Sequence, residues 1–353
     1  MKRVLIALSG GVDSSVSAYL LKEAGYDVVA ITFNLCDDII KDNYTRMIED
    51  AKRVSNYLGI EHHVVDYKED FKEKVIEPFI REYELGHTPN PCIFCNKNIK
   101  FKRFHDEMKN FDADFIATGH YVEKYEENGI HYLEKSSNIR KDQSYFLYNI
   151  KQDQLKDAIF PVGAMDKDKT RAIAKEAGIP VYNKKDSQEI CFIANDDYKA
   201  FLNKYSENIS KKGLIKDKSG KVLGEHDGIR NYTIGQRRGL NVALGQRAFV
   251  TKIDPIHNEI ILGPEEDLFK KTAIIKDVNW ISIDEIDEDK VYTAKVRYRS
   301  NDEKAKIKKN DDGTYTVTFE EPQRAITLSQ SLVVYDGRTV VGGGVIVDQL
   351  CFM

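Results

Sequence analysis

The sequence predicts an α/β fold: a doubly wound parallel-sheet domain, then a small central domain, then a C-terminal β-barrel. Three observations carry this. Short apolar runs alternate with helical-period stretches as far as residue 205, the pattern of a parallel sheet covered by helices. A Ser- and Gly-rich turn, Ser9-Gly10-Gly11-Val12-Asp13-Ser14-Ser15, joins the first apolar run to the first helical stretch. From residue 206 onward, short strand-like runs are separated by Gly, Asp and Asn, as in small β domains. The implied boundaries are 1–205, 206–270 and 271–353.

The elements follow in order. Val4 to Leu8 reads as the first strand, and Val16, Leu20 and Leu21 begin a helix. Gly10 and Gly11 let the backbone approach a ligand, and Ser9, Asp13, Ser14 and Ser15 offer hydroxyls and a helix cap. A helix start with free N–H groups binds phosphate, although the lysine of a Walker loop is missing. Residues 26–34 and 60–67 read as strands, with a helix over 43–58 between them. A helical stretch then runs to Leu85 with a bend at Pro78, and residues 113–118 form a fourth strand. Ligands in such sheets sit at the carboxyl ends of strands. The Ser9 turn, Phe33 with Asn34, and Gly119-His120-Tyr121 all fall there.

Residues 88–97, with two prolines, read as an exposed loop carrying Cys92 and Cys95. A Cys-x-x-Cys pair in a loop of a cytosolic protein indicates metal or redox chemistry. Lys97, Lys100, Lys102 and Arg103 follow on a helix, where a solvated face is the simplest account. Residues 136–150 read as a surface turn entering a helix, and residues 165–181 as an amphipathic helix ended by Gly178. Cys191, before Phe192 and Ile193, reads in isolation as a small buried hydrophobe. Residues 233–240 form a Gly-bounded basic loop with Arg237 and Arg238.

Composition sets the limits. The 353 residues are 41% hydrophobic, enough for buried cores. No apolar run reaches the ~20 residues of a membrane helix, and the N-terminus lacks a signal-peptide pattern. A cytoplasmic protein without a membrane partner is expected. Five cysteines do not suggest a disulfide framework. A net charge of −4 confines any nucleic-acid contact to local basic patches such as Lys97, Lys100, Arg237, Arg238, Arg297 and Arg299.

The Ser9 string resembles the SGGxDS pyrophosphate loop (PP-loop) of ATP-dependent enzymes that adenylate a carbonyl oxygen. Taken with NPCIFCNKNIKF, ATGHY, KDQSYFL, Cys191-Phe192-Ile193, GQRRGL and RYR in that order, the whole chain resembles the bacterial tRNA-specific 2-thiouridylases. The resemblance implies ATP-dependent sulfuration of C2 of the wobble uridine in tRNAs for Lys, Glu and Gln. Magnesium accompanies the ATP, and a persulfide carrier or a cysteine desulfurase donates sulfur. It implies Cys191 as the persulfide residue and Cys95 as the thiol that releases the product, leaving a Cys95–Cys191 disulfide. It implies ATP contacts from Ala7, Leu8, Ser9, Gly10, Gly11, Val12, Asp13, Ser14, Phe33 and Gly119. It implies tRNA contacts from Asn90, Pro91, Cys92, His120, Lys141, Asp142, Gln143, Arg237, Arg238, Arg297, Tyr298 and Gln330.

One position departs from the family. Cys92 stands where most members carry an Asp acting as a general acid or base. Cys92, Cys95 and Cys191 are also the number of thiolates that would hold a [4Fe-4S] cluster with one open iron. Persulfide and cluster routes both remain open at this point, with a non-RNA adenylating ligase as a further alternative. Cys36 and Cys351 match nothing catalytic.

Overall fold

The computed structural model describes residues 1–36, 39, 41–185, 190–206, 208, 210–242 and 247–348. The chain divides into two compact units. The first comprises Met1–Ile76, Pro91–Asp196 and Arg338–Val341; the second comprises Glu77–Asn90, Asp197–Gly337 and Gly342–Met353.

The first unit is built on five strands: β1 (Arg3–Ala7), β2 (Asp27–Asn34), β3 (Glu61–Asp66), β4 (Phe115–Ala117) and β7 (Ala158–Ile159). Their order is β3-β2-β1-β4-β7, and every pairing is parallel. Val4, Leu5 and Ile6 are fully buried because the sheet is covered on both faces. Helix α1 (Val12–Glu23) follows β1, and α2 (Lys41–Leu58) follows β2. Val16, Ala18 and Leu21 of α1 and Ala51, Val54 and Leu58 of α2 join Val4, Ile6 and Ala30 in one apolar core. The strand order reverses beside β1, which places the ligand-binding switch point at the end of that strand. A hairpin, β5 (Val122–Glu127) and β6 (Ile130–Lys135), is inserted between β4 and β7.

Three local expectations are corrected. Pro91–Cys95 is helical, not a loop, and continues as a π-helical segment over Asn96–Arg103. Proline is well tolerated in a helix's first turn, where its missing N–H has no partner to lose. Residues 136–150 are not a surface turn: Ser136, Asp142, Ser144, Tyr145, Tyr148 and Ile150 are buried. The helix expected over 165–181 spans Lys167–Glu176, and Gly178 lies just beyond it with φ +66°.

The second unit holds a four-stranded sheet formed by Gly213–Asp217, Val222–His226, Phe249–Asp254 and Glu259–Gly263. It also holds a six-stranded barrel. The long strand Phe269–Trp280 pairs with Tyr315–Arg324 on one side and with residues 342–347 on the other, closing the ring. Closure removes exposed edges.

Candidate active site

Strand β1 delivers the Ser9 turn in strict register. Leu8 N–H donates to Ile31 O at 2.9 Å, and Thr32 Oγ1 donates to Leu8 O at 2.6 Å. Gly10 then turns with φ +64°. A Cβ there would lie 2.7 Å from Asp50 Cβ and 2.8 Å from Met47 O of α2. Gly119, after β4, is confined in the same way. Its Cβ would lie 2.8 Å from Ser14 N and 3.0 Å from the carbonyl carbon of Asp13. The start of α1 therefore nests between two glycines that no other residue could replace without displacement.

A Ser or Asp cap on α1 is not found. Gly11 is the N-cap and no side chain caps the helix. The hydroxyls turn back instead: Ser14 Oγ and Ser15 Oγ both donate to Gly11 O, at 3.2 and 2.7 Å. The first-turn amides are thus left to an anionic ligand. The phosphates of ATP fit this cradle. A carboxylate oxygen from Asp13 fits its magnesium ion, which prefers hard oxygen ligands. Phe33 turns its ring into the core, 5.5 Å from Tyr67 and 5.1 Å from Phe104.

Two lysines that sequence reading passed over converge on this turn. Lys167 Nζ lies 2.6 Å from Asp13 Oδ1. Lys184 Nζ donates to Gly10 O at 3.0 Å and to Asp50 Oδ2 at 2.7 Å. Their only signal in the sequence is position, one at a helix start and one in a Lys-Lys-Asp run.

Cys36, Cys92, Cys95 and Cys191 belong to the same unit. Cys95 is buried and Cys92 exposed, three residues apart and so on one side of the short helix. Cys191 is reachable by solvent. Burial pushes the Cys95 thiol up to about 11, while Lys100 pulls it down. Protein packed around Cys191 raises its thiol well above the ordinary value, and Cys95, Cys36 and Cys92, in that order, raise it further. Protein packed around Cys92, although its surface reaches solvent, raises its thiol as well. Cys36, just beyond β2, is therefore an electrostatic neighbour of Cys191, which sequence reading did not foresee. Lys100 lowers all three thiols. Among the described residues, no three His, Cys, Asp or Glu side chains are grouped to hold a metal ion. Cys351 lies outside the described residues, as do Asp186 and Ser187 upstream of Cys191.

The remaining candidates divide by environment. His120 is 9% exposed, 2.8 Å from Thr118 Oγ1, and burial followed by Lys100 holds its imidazole well below the ordinary value. Asp142 is buried, accepting from Ser136 N–H at 3.0 Å and from Ser144 Oγ at 2.8 Å. Gln143 pairs twice with Tyr121, donating from its N–H to Tyr121 O and accepting Tyr121 N–H at Oε1. Lys141 is half-buried beside them. In the second unit Arg237, Arg238 and Arg299 are exposed, and Asn90 and Tyr298 are half-buried. Arg297 donates to Ile234 O at 3.2 Å and also bonds Thr327 Oγ1. Gln330 Nε2 bonds Thr88 O.

Comparison with known proteins agrees along the whole chain. Residues 2–195 match the profile of the tRNA methyl transferase HUP domain. Residues 199–264 match the tRNA methyl transferase PRC-barrel domain, and residues 270–346 the aminomethyltransferase beta-barrel domain. A protein of Clostridioides difficile named tRNA-specific 2-thiouridylase MnmA is 49% identical, with 99% of each chain covered. The chain belongs to the tRNA-specific 2-thiouridylase family. A relative of the same name from Clostridium acetobutylicum is 48% identical over 98% of this chain and 99% of its own. A third, from Clostridium perfringens, is 46% identical over 98% of both. The matched region takes in the nucleotide turn, both cysteine segments and the barrel together.

Proposed function

We propose that this enzyme is a tRNA-uridine 2-sulfurtransferase that adenylates the C2 oxygen of a wobble uridine and replaces it with sulfur. The observation that carries the reading is one compact unit holding both the open-amide turn at Ser9–Ser14 and the thiols of Cys95 and Cys191. Activation and sulfur delivery need those two sets of groups.

The chemistry follows from the groups. A uracil C2 carbonyl is a poor electrophile. Attack of its oxygen on the α-phosphorus of ATP forms a C2–O–AMP bond and expels pyrophosphate. The α1 amides and the Gly10–Gly11 backbone receive the departing phosphates. Magnesium, when bound, offsets their charge. The terminal sulfur of a Cys191 persulfide then attacks C2, and the C2–O bond breaks to release AMP. Cys95 as thiolate attacks Cys191 Sγ, the S–S bond breaks, and the electron pair leaves on the sulfur now attached to C2. The products are 2-thiouridine and a Cys95–Cys191 disulfide, which an external thiol reduces. Both thiols must lose a proton first, and Lys100 is the cation that favours this.

The tRNA contacts are assigned to Arg237 and Arg238 in the exposed basic loop, and to Asn90, Pro91, Cys92, Lys141, Gln143, Tyr298 and Gln330, while the buried His120 and Asp142 and the internally bonded Arg297 hold their own segments in shape. Lys, Glu and Gln tRNAs are the substrates. The sulfur donor is a persulfide carrier or a desulfurase, and the setting is the cytoplasm. No helix among the described residues is long and apolar enough to cross a membrane.

The test is 2-thiouridine formation on a tRNA transcript with ATP, magnesium and a persulfide donor. Asp13→Ala is expected to abolish pyrophosphate release while leaving tRNA affinity within about threefold, since the turn contacts nucleotide and not RNA. Thiolation by the wild type without ATP would overturn the reading.

A further inference from the structure

We propose that Lys167 and Tyr121 are positioning residues for the Asp13 carboxylate, setting it in place for the magnesium ion that accompanies ATP. This rests on the nucleotide reading of the Ser9 turn.

The two oxygens of Asp13 are unequal. Oδ1 accepts from the Tyr121 hydroxyl at 2.7 Å and from the Lys167 ammonium at 2.6 Å. Among the described residues, Oδ2 receives no protein donor, and the side chain is 32% exposed. One oxygen is saturated by the protein while the other is open beside the phosphate-binding amides. That is a carboxylate prepared to give one hard ligand to a cation that also takes phosphate oxygens.

The donors are themselves fixed. Lys167 is 12% exposed on its side chain, unusually deep for an ammonium, which burial tolerates only when it is paired. It opens the helix Lys167–Glu176, whose start is held by Asp166 accepting Lys169 N–H at 2.6 Å. Thr170, three residues on and on the same side of that helix, is fully buried with Oγ1 3.1 Å from the Tyr121 hydroxyl. Tyr121 is 3% exposed, and its backbone is paired in both directions with Gln143. Two separated segments thus converge on one carboxylate oxygen. None of these groups caps α1, whose N-cap is Gly11. Such preorganisation lowers the cost of ordering a ligand group when the metal arrives.

ATP binding titrated at a series of Mg2+ concentrations by calorimetry tests this, with pyrophosphate release in the presence of tRNA as a second readout. Lys167→Ala is expected to raise the Mg2+ midpoint for ATP binding at least fivefold and to slow pyrophosphate release at least tenfold. Lys167→Arg is expected to stay within about threefold of wild type in both. Tyr121→Phe, which removes only a hydroxyl, is expected to shift the Mg2+ midpoint in the same direction and keeps the test open if Lys167→Ala does not fold. A purely structural role would lower the melting temperature and leave the Mg2+ midpoint in place. An unchanged midpoint in folded Lys167→Ala or in Tyr121→Phe would overturn the proposal. Failure of the wild type to bind ATP at any Mg2+ concentration would instead overturn the nucleotide reading beneath it.

Discussion

The ammonium of Lys184 donates to the carbonyl oxygen of Gly10 at 3.0 Å and holds Asp50 of α2 with the same group. It fastens the nucleotide turn to the helix against which Gly10 packs. Hydrogen bonds to charged groups contribute about 1.5–3 kcal/mol each, and partial exposure of Lys184 reduces that. Lys184→Ala is expected to weaken ATP binding about fivefold to thirtyfold with little change in tRNA affinity. Calorimetry with ATP and a filter assay with tRNA would separate the two, and equal losses in both would contradict it.

Gly119→Ala probes the opposite wall of the same turn. The added methyl would sit 2.8 Å from Ser14 N and 3.0 Å from the Asp13 carbonyl carbon, both backbone atoms. Neither can rotate away, so the turn must shift. Overpacking of this kind costs about 1–3 kcal/mol. Pyrophosphate release is expected to fall at least about tenfold, and a variant of normal rate would show that the turn has more freedom than its packing implies.

Cys95→Ser and Cys191→Ser are each expected to eliminate 2-thiouridine, whereas Cys36→Ser and Cys351→Ser are not. Cys36 adds to the field at Cys191, so its replacement should make Cys191 slightly easier to ionise. Cys92 separates the two sulfur routes. In the persulfide route Cys92→Asp keeps activity without iron. Anaerobic protein with about four irons per chain and no activity in Cys92→Asp would favour the cluster route instead.

The thiols also predict a pH dependence. Burial raises Cys95 to about 11, and Cys191 is raised too, so the free enzyme holds both as neutral thiols at pH 7. Alkylation of Cys191 by iodoacetamide is expected to rise steadily from pH 7 to 9.5 without a plateau. Folding stability carries the same sign. Thiols raised above their unfolded value of 9.0 favour the folded state below that pH, and the contribution is lost as pH rises through the folded values. Lys100→Met, removing the cation that lowers all three thiols, is expected to slow alkylation at pH 8. A plateau below pH 8 would mean that the thiols ionise far more readily than their surroundings suggest.

The arginines should divide into two kinds. Arg237 and Arg238 are exposed, and removing one phosphate-binding cation flattens the logarithmic salt dependence by about 0.9. Arg237→Ala is therefore expected to weaken tRNA binding and lower that slope by about one without changing the melting temperature. Arg297 bonds Ile234 O and Thr327 Oγ1, so Arg297→Ala should lower stability by about 1–3 kcal/mol through the acceptors left unpaired. A melting temperature unchanged in Arg297→Ala would place its role on the RNA instead.

Much of this molecule was legible from the chain alone. Alternating apolar runs determined the parallel sheet, because burial on both faces leaves a local trace in every strand. The Ser9 turn and the ordered motifs determined the family, because chemistry that needs a particular backbone shape or thiol restricts residue types at short spacing. What tertiary structure decided was which distant groups meet. Lys167 is 154 residues from Asp13, and Lys184 is 174 residues from Gly10. No periodicity links positions so far apart, and a lysine at a helix start looks like solvated surface until the fold closes over it. The same holds for Cys36, an isolated cysteine in sequence that folding brings into the field of Cys191. Even the short helix at Pro91–Cys95 was a tertiary outcome. Local rules read two prolines as a loop, but a proline in a first turn loses no hydrogen bond, and packing of the buried Ile93 and Cys95 then selects the helix.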